Sequence, residues 1–65
     1  MYKKYAAVRD EKGMNDNAVA RAAGIPASTL YDWKQRSAES DEAGIATFTL
    51  WKISKVLGVE LTELL

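Results

Sequence analysis

The side chains able to do chemistry are few. The chain has no histidine and no cysteine. That removes the commonest general base and metal ligand, every thiol nucleophile, and any zinc–thiolate site or disulfide. Carboxylates gather at Glu39, Asp41 and Glu42. Paired carboxylates can do acid–base work, but this stretch is polar and turn-rich with no nucleophile beside it, and it reads as a solvated loop. No enzymatic activity, cofactor or metal is expected. What remains is charge and hydrogen bonding. Nine Lys+Arg balance nine Asp+Glu, for a formal net charge of zero. The total argues against a nucleic-acid partner, but the distribution is uneven. Residues 1–36 hold seven basic and four acidic groups, a net +3, whereas 37–65 hold two basic and five acidic, a net −3.

The elements that position these groups follow from size and punctuation. A chain of 65 residues, 48% apolar and 28% charged, is a single folded domain, 1–65, near the lower size limit. A core this small rarely supplies more than about 3–5 kcal/mol. No run approaches the roughly 20 apolar residues of a membrane span, and residues 1–10 lack the apolar stretch of a signal peptide. The expectation is a cytoplasmic protein. Gly13, Gly24, Gly44, Gly58 and Pro26 cut the chain into helical pieces. The first, 2–12, carries Tyr5 and Val8, with Ala6 and the Lys12 stem, at helical spacing. The second opens on Asn15 as N-cap, with Asp16 favouring its dipole, and stops at Gly24. The third starts at Pro26, a residue suited to a helix start, turns Leu30 and Trp33 inward and ends near Arg36. Residues 37–46 form the exposed acidic loop. The fourth, 47–57, has Thr47 as cap and a Leu50, Ile53, Leu57 stripe. The fifth, 59–65, carries Leu61, Leu64 and Leu65. No segment alternates with period two, so the class is all-α with five short helices.

One spacing stands out. Gly24 follows Ala20 by four residues, Leu30 comes six later and Trp33 three after that. A small Ala20 lets a second helix cross closely, and Gly24 permits a left-handed turn. Ile25 and Leu30 fill the space between the helices, and Trp33 anchors the second. This is the pattern of a helix-turn-helix, over about 16–35.

Here the chain resembles the lambda repressor/Cro-type (XRE) helix-turn-helix family. The resemblance rests on Ala20, Gly24, Ile25, Leu30 and Trp33. Upstream, Tyr5, Val8, Arg9 and Gly13 fit its first helix. Downstream, Thr49-Leu50, Lys52-Ile53, Leu57-Gly58-Val59, Leu61 and Leu64-Leu65 fit its closing helices. Membership implies a double-stranded DNA partner, bound by a bacterial or phage-encoded transcriptional regulator, with repression favoured over activation. It implies a recognition helix over 27–35 in the major groove, with Leu30 and Trp33 turned into the core. Its outward residues would be Ala27, for apolar contact with a thymine methyl, the hydroxyls of Ser28 and Thr29, Tyr31 and Asp32. Asn15 and Asn17 would hold a phosphate at the start of the second helix. Lys34 and Arg36 would clamp the backbone. The family often continues past its last helix into a linker.

Two positions and one loop depart from the family pattern. Asp16 stands where many members carry Gln, and its charge should repel phosphate. Lys34 stands where many carry the Glu that pairs with the first-helix Arg, leaving Arg9 to meet Asp10 or solvent. The 37–46 loop is longer and more acidic than usual. Some side chains have two readings. Tyr31 faces DNA or lies over a neighbouring helix, and Asp32 reads cytosine or is a solvated surface residue. Trp51 leans on Phe48 and Lys55, or joins Phe48, Leu61 and Leu65 in an exposed patch that mediates a homodimer. The rival to DNA binding is a protein-interaction module on the same fold, antitoxin-like or anti-regulator in kind. It is motivated by Asp16, Asp32 and the acidic loop.

Overall fold

The computed structural model describes all 65 residues. Four helices and one 3-10 turn follow in order: α1 (Tyr2–Glu11), α2 (Asp16–Ala23), α3 (Ala27–Glu39), α4 (Thr47–Leu57) and the turn Leu61–Leu64. There is no strand, and no helix is long and apolar enough to cross a membrane.

The expected start of α2 is observed. The Asn15 side chain accepts from the Ala18 N–H at 2.8 Å, satisfying a donor that the first turn leaves free. Gly24 ends the helix at φ +71°, and the following Ile25 N–H returns to the Ala20 carbonyl. This six-residue closure needs a left-handed residue, which glycine adopts without the Cβ penalty. Gly58 ends α4 in the same way, at φ +69° with Val59 N–H on the Ser54 carbonyl.

Four boundaries or placements differ from the sequence reading. α3 runs on to Glu39 instead of ending near Arg36. Its inward row continues from Leu30 and Trp33 to Ser37, which is buried. The remaining loop is pinned: the Trp33 indole donates to the Ala43 carbonyl at 2.9 Å, and Ala43, Gly44 and Ile45 are half-buried. Thr47 is not a cap; Ala46 takes that position, without a side-chain hydrogen bond. Lys12 lies exposed, outside the α1 stripe.

The fifth helix is only a 3-10 turn, so the count is four helices and a turn. Glu60 and Glu63 close it reciprocally, the Glu60 N–H donating to Glu63 Oε2 at 2.8 Å. At three residues per turn, Leu61 and Leu64 eclipse one another and both reach the core.

The core gathers one side of every element: Tyr2 and Tyr5, Val19 and Ala20, Leu30 and Trp33, Leu50, Ile53 and Leu57, and Leu64. α2 packs against α3 and α4, while α1 packs against α3 and the final turn. Ala20 is fully enclosed, as its small side chain at the helix crossing predicts.

Candidate nucleic-acid interface

α3 keeps Leu30, Trp33 and Ser37 against the core. At 100° per residue, the opposite side carries Ser28, Tyr31, Asp32 and Gln35, all exposed. Tyr31 is 65% exposed, so it points outward and does not lie over a neighbouring helix. Ala27 is exposed at the start of the helix, but Thr29 is half-buried, flanking the core row, and its hydroxyl is less available than the sequence reading expected. Gln35 was missed by that reading. Its signal was present in the spacing, seven residues from Ser28 and four from Tyr31.

Asn15, Asn17 and Lys34 come together. They line an open depression of about 410 Å³ with Arg9, Asp10, Met14 and Asp16, where the start of α2 meets α1 and α3. Backbone N–H groups of the first α2 turn have no intrahelical acceptor, and the dipole there favours an anion. The Asn15 carbonyl oxygen is committed to its cap. Asn17 and Lys34 are exposed, and neither side chain has a hydrogen-bond or ion-pair partner within the chain.

Arg36 differs from its expected role. Its Nε donates to Asp32 Oδ2 at 3.0 Å and its Nη1 to the Gly44 carbonyl at 2.8 Å. The guanidinium ties α3 to the loop before α4 and offsets the Asp32 charge, instead of standing free as a phosphate clamp. An arginine four residues after an aspartate on one helix meets it across a turn, which accounts for the capture.

The largest correction concerns Arg9 and Asp16. Arg9 meets Asp10 at 2.9 Å, as expected, but it is not left without a partner in the next helix. Its Nη1 donates to Asp16 Oδ1 at 2.7 Å and to the Tyr2 hydroxyl at 3.0 Å. Tyr2 and Tyr5 each donate a hydroxyl to Asp16 at 2.6 Å, one to each carboxylate oxygen. Burial pushes the Asp16 carboxyl up, but the three hydrogen bonds and the Arg9 charge outweigh it and hold it below its ordinary value. Burial, and then the bond to Asp16, push the Tyr5 phenol well above its ordinary value; Tyr2 shifts the same way. Burial acts to lower Arg9, yet its bonds to Asp16, Asp10 and Tyr2 leave it raised and firmly charged.

Asp16 is therefore engaged inside the protein by Arg9 and two phenols, with the Arg9 charge divided between Asp16 and Asp10. The α1 spacing contained the signal: Tyr2, Tyr5 and Arg9, three and four residues apart, share one helix side.

The expected dimer patch divides. Phe48 and Trp51 are exposed and stacked, and Leu65 is 55% exposed. Leu61, in contrast, packs against the core.

No curated protein and no solved structure matches the chain. A profile of the helix-turn-helix family matches residues 6–64, nearly the whole chain. With α2, the Gly24 turn and α3 occupying the positions the motif requires, the chain belongs to the lambda repressor/Cro-like (XRE-type) helix-turn-helix family of DNA-binding regulatory domains.

Proposed function

We propose that this protein is a sequence-specific double-stranded DNA-binding regulator of phage or mobile-element type, acting in the cytoplasm as a repressor. α3 enters the major groove. Ser28, Tyr31, Asp32 and Gln35 meet base edges, with Ala27 and Thr29 at the margin of the contact. Gln35 suits adenine and Asp32 suits the cytosine amino group. Asn17, Lys34 and the first N–H groups of α2 hold a phosphate, and Asn15 sets the helix start that presents them. Paired copies on two half-sites about one helical turn apart supply the affinity that a net +3 half does not.

The observation that carries this reading is the uncovered outward side of α3 beside the open depression at the start of α2. The rival, a protein-interaction module without DNA binding, rests on Asp16, Asp32 and the acidic loop. Asp32 pairs with Arg36, and Asp16 with an Arg9 that also holds Asp10, so the rival's support falls mainly on the acidic loop. Selection of bound duplexes from a random pool, followed by gel shifts at rising salt, tests the proposal. A selected duplex should bind with an affinity that falls steeply with salt. Lys34→Ala should weaken it about five- to tenfold and lower the salt slope by about one. Binding to no duplex even at low salt rules the proposal out.

A further inference from the structure

The outward side of α4 is not needed to build the core, which takes Leu50, Ile53, Ser54 and Leu57 from the other side of the helix. It nevertheless carries two large aromatic side chains. Phe48 and Trp51 are 65% and 44% exposed, and their rings stack 5.8 Å apart at 11°. Lys52 Nζ lies 4.7 Å from the Phe48 ring centre and Lys55 Nζ 5.4 Å from that of Trp51. The chain's four ion pairs involve neither lysine. Beside the rings runs a groove of about 350 Å³. It is shallow and open, lined by the apolar Ala22, Ala23, Val56 and Trp51 together with Lys52 and Lys55. The groove shares no residue with α3 or with the depression at the start of α2.

We propose that this groove docks an acidic amphipathic segment of another protein. Aliphatic side chains of the segment pack against Trp51, Ala22, Ala23 and Val56, and its carboxylates pair with Lys52 and Lys55. Charge selects this occupant. A second copy placing the same patch against this one would bring four ammonium groups together. The acidic residues of the C-terminal half lie outside α4, at Glu39, Asp41, Glu42, Glu60 and Glu63. A single-stranded nucleic acid would need free ring faces on which to stack its bases. Here the two rings lie nearly parallel with centres 5.8 Å apart, and each already has an ammonium near it. An acidic segment gives the lysines the counter-charge they lack and covers exposed aromatic surface, the two ingredients of a helix-in-groove contact.

The test titrates the full chain with a synthetic peptide of about 16 residues, helical in pattern, with leucines along one side and glutamates elsewhere. Controls are the same peptide with lysine for every glutamate and a single-stranded oligonucleotide. Backbone NMR and tryptophan emission are the readouts. Trp33 is fully buried, so emission changes report Trp51.

The acidic peptide should shift Ala22, Ala23, Trp51 and Val56, move emission to the blue, and bind about tenfold more weakly as salt rises to screen the lysines. Lys52→Glu with Lys55→Glu should weaken it at least about tenfold. Ala22→Arg, an exposed position that fills the groove, should abolish it, with the helical circular dichroism of both variants unchanged. Four results each overturn the proposal: no shift at these residues, equal binding of the lysine peptide, the same shifts with the oligonucleotide, or concentration-dependent shifts with no peptide present.

Discussion

Tyr2, Tyr5 and Trp33 meet around ring-centre distances of 5.3–5.4 Å in the core, while Phe48 and Trp51 stack at 5.8 Å on the surface of α4. In the first cluster every polar tip has a partner. The Trp33 indole donates to Ala43, and both phenols donate to Asp16. The neighbouring cation, Arg9, is held by two carboxylates while lying over the Tyr5 ring at 5.7 Å. In the second cluster the cations are lysines over rings, with no carboxylate beside them. The same kinds of side chain thus do two jobs. Where polar ends are satisfied internally, aromatic rings join elements together. Where cations lack counter-charge and rings face water, they form a surface available to another molecule.

Mutations separate the two clusters by size of effect. Trp33→Ala removes the largest buried side chain and releases the loop at Ala43. It should cost about 3–5 kcal/mol, as much as a core this small supplies, so far-UV circular dichroism should show a largely unfolded chain at 25 °C. Asp16→Ala removes the acceptor shared by Tyr2, Tyr5 and Arg9. It should cost about 2–3 kcal/mol in urea unfolding, a moderate figure because the site keeps some contact with water. Tyr5→Phe keeps the ring and deletes one hydrogen bond to a charged acceptor, for a loss of about 1–2 kcal/mol. Trp51→Ala, at an exposed position, should shift stability by less than about 1 kcal/mol. If Trp51→Ala proved as damaging as Trp33→Ala, the contrast between the clusters would collapse.

Titration sharpens the comparison further. Asp16 is held below its ordinary value of 3.8 in the folded chain. The folded state therefore binds fewer protons there than the unfolded state. Its contribution is complete above that value and fades as pH falls through the lower native one. Tyr5 is raised above its ordinary 10.0, so its contribution is complete below pH 10.0 and fades as pH rises beyond. Stability measured against pH should show a plateau between these limits, and Asp16→Asn should remove much of the acid limb.

Much of the fold was legible in residue types and spacing. Asn15 as cap, the turn at Gly24, the inward Leu30 and Trp33, and the α4 stripe each depend on contacts within a few residues. The misreadings came where a local signal met a distant partner. The residues after Arg36 look like loop, but Ser37 continues the buried row of α3 and the helix continues with it. The last apolar residues suggest a fifth helix, yet after the Gly58 turn four residues suffice to bring Leu61 and Leu64 to the core. In the candidate site, the outward position of Tyr31 and Asp32 could be read from helical period. The capture of Arg36 by the Gly44 carbonyl could not, because that acceptor lies across a loop.

The sequence by itself determined the all-α class, the helix-turn-helix at its centre and the separation of charge between the two halves. These rest on periodicity, turn chemistry and composition, which act over short stretches of chain. Only the tertiary structure decided which charges remain available. Asp16 reads in the sequence as a carboxylate placed to repel DNA, and in the fold it is the shared acceptor of two tyrosines and an arginine. Arg36 reads as a clamp, and in the fold it fastens a loop. Lys34, Lys52 and Lys55, in contrast, have no carboxylate partner within the chain. A formal charge belongs to a residue, but its reach depends on what the folded chain places within hydrogen-bond distance of it.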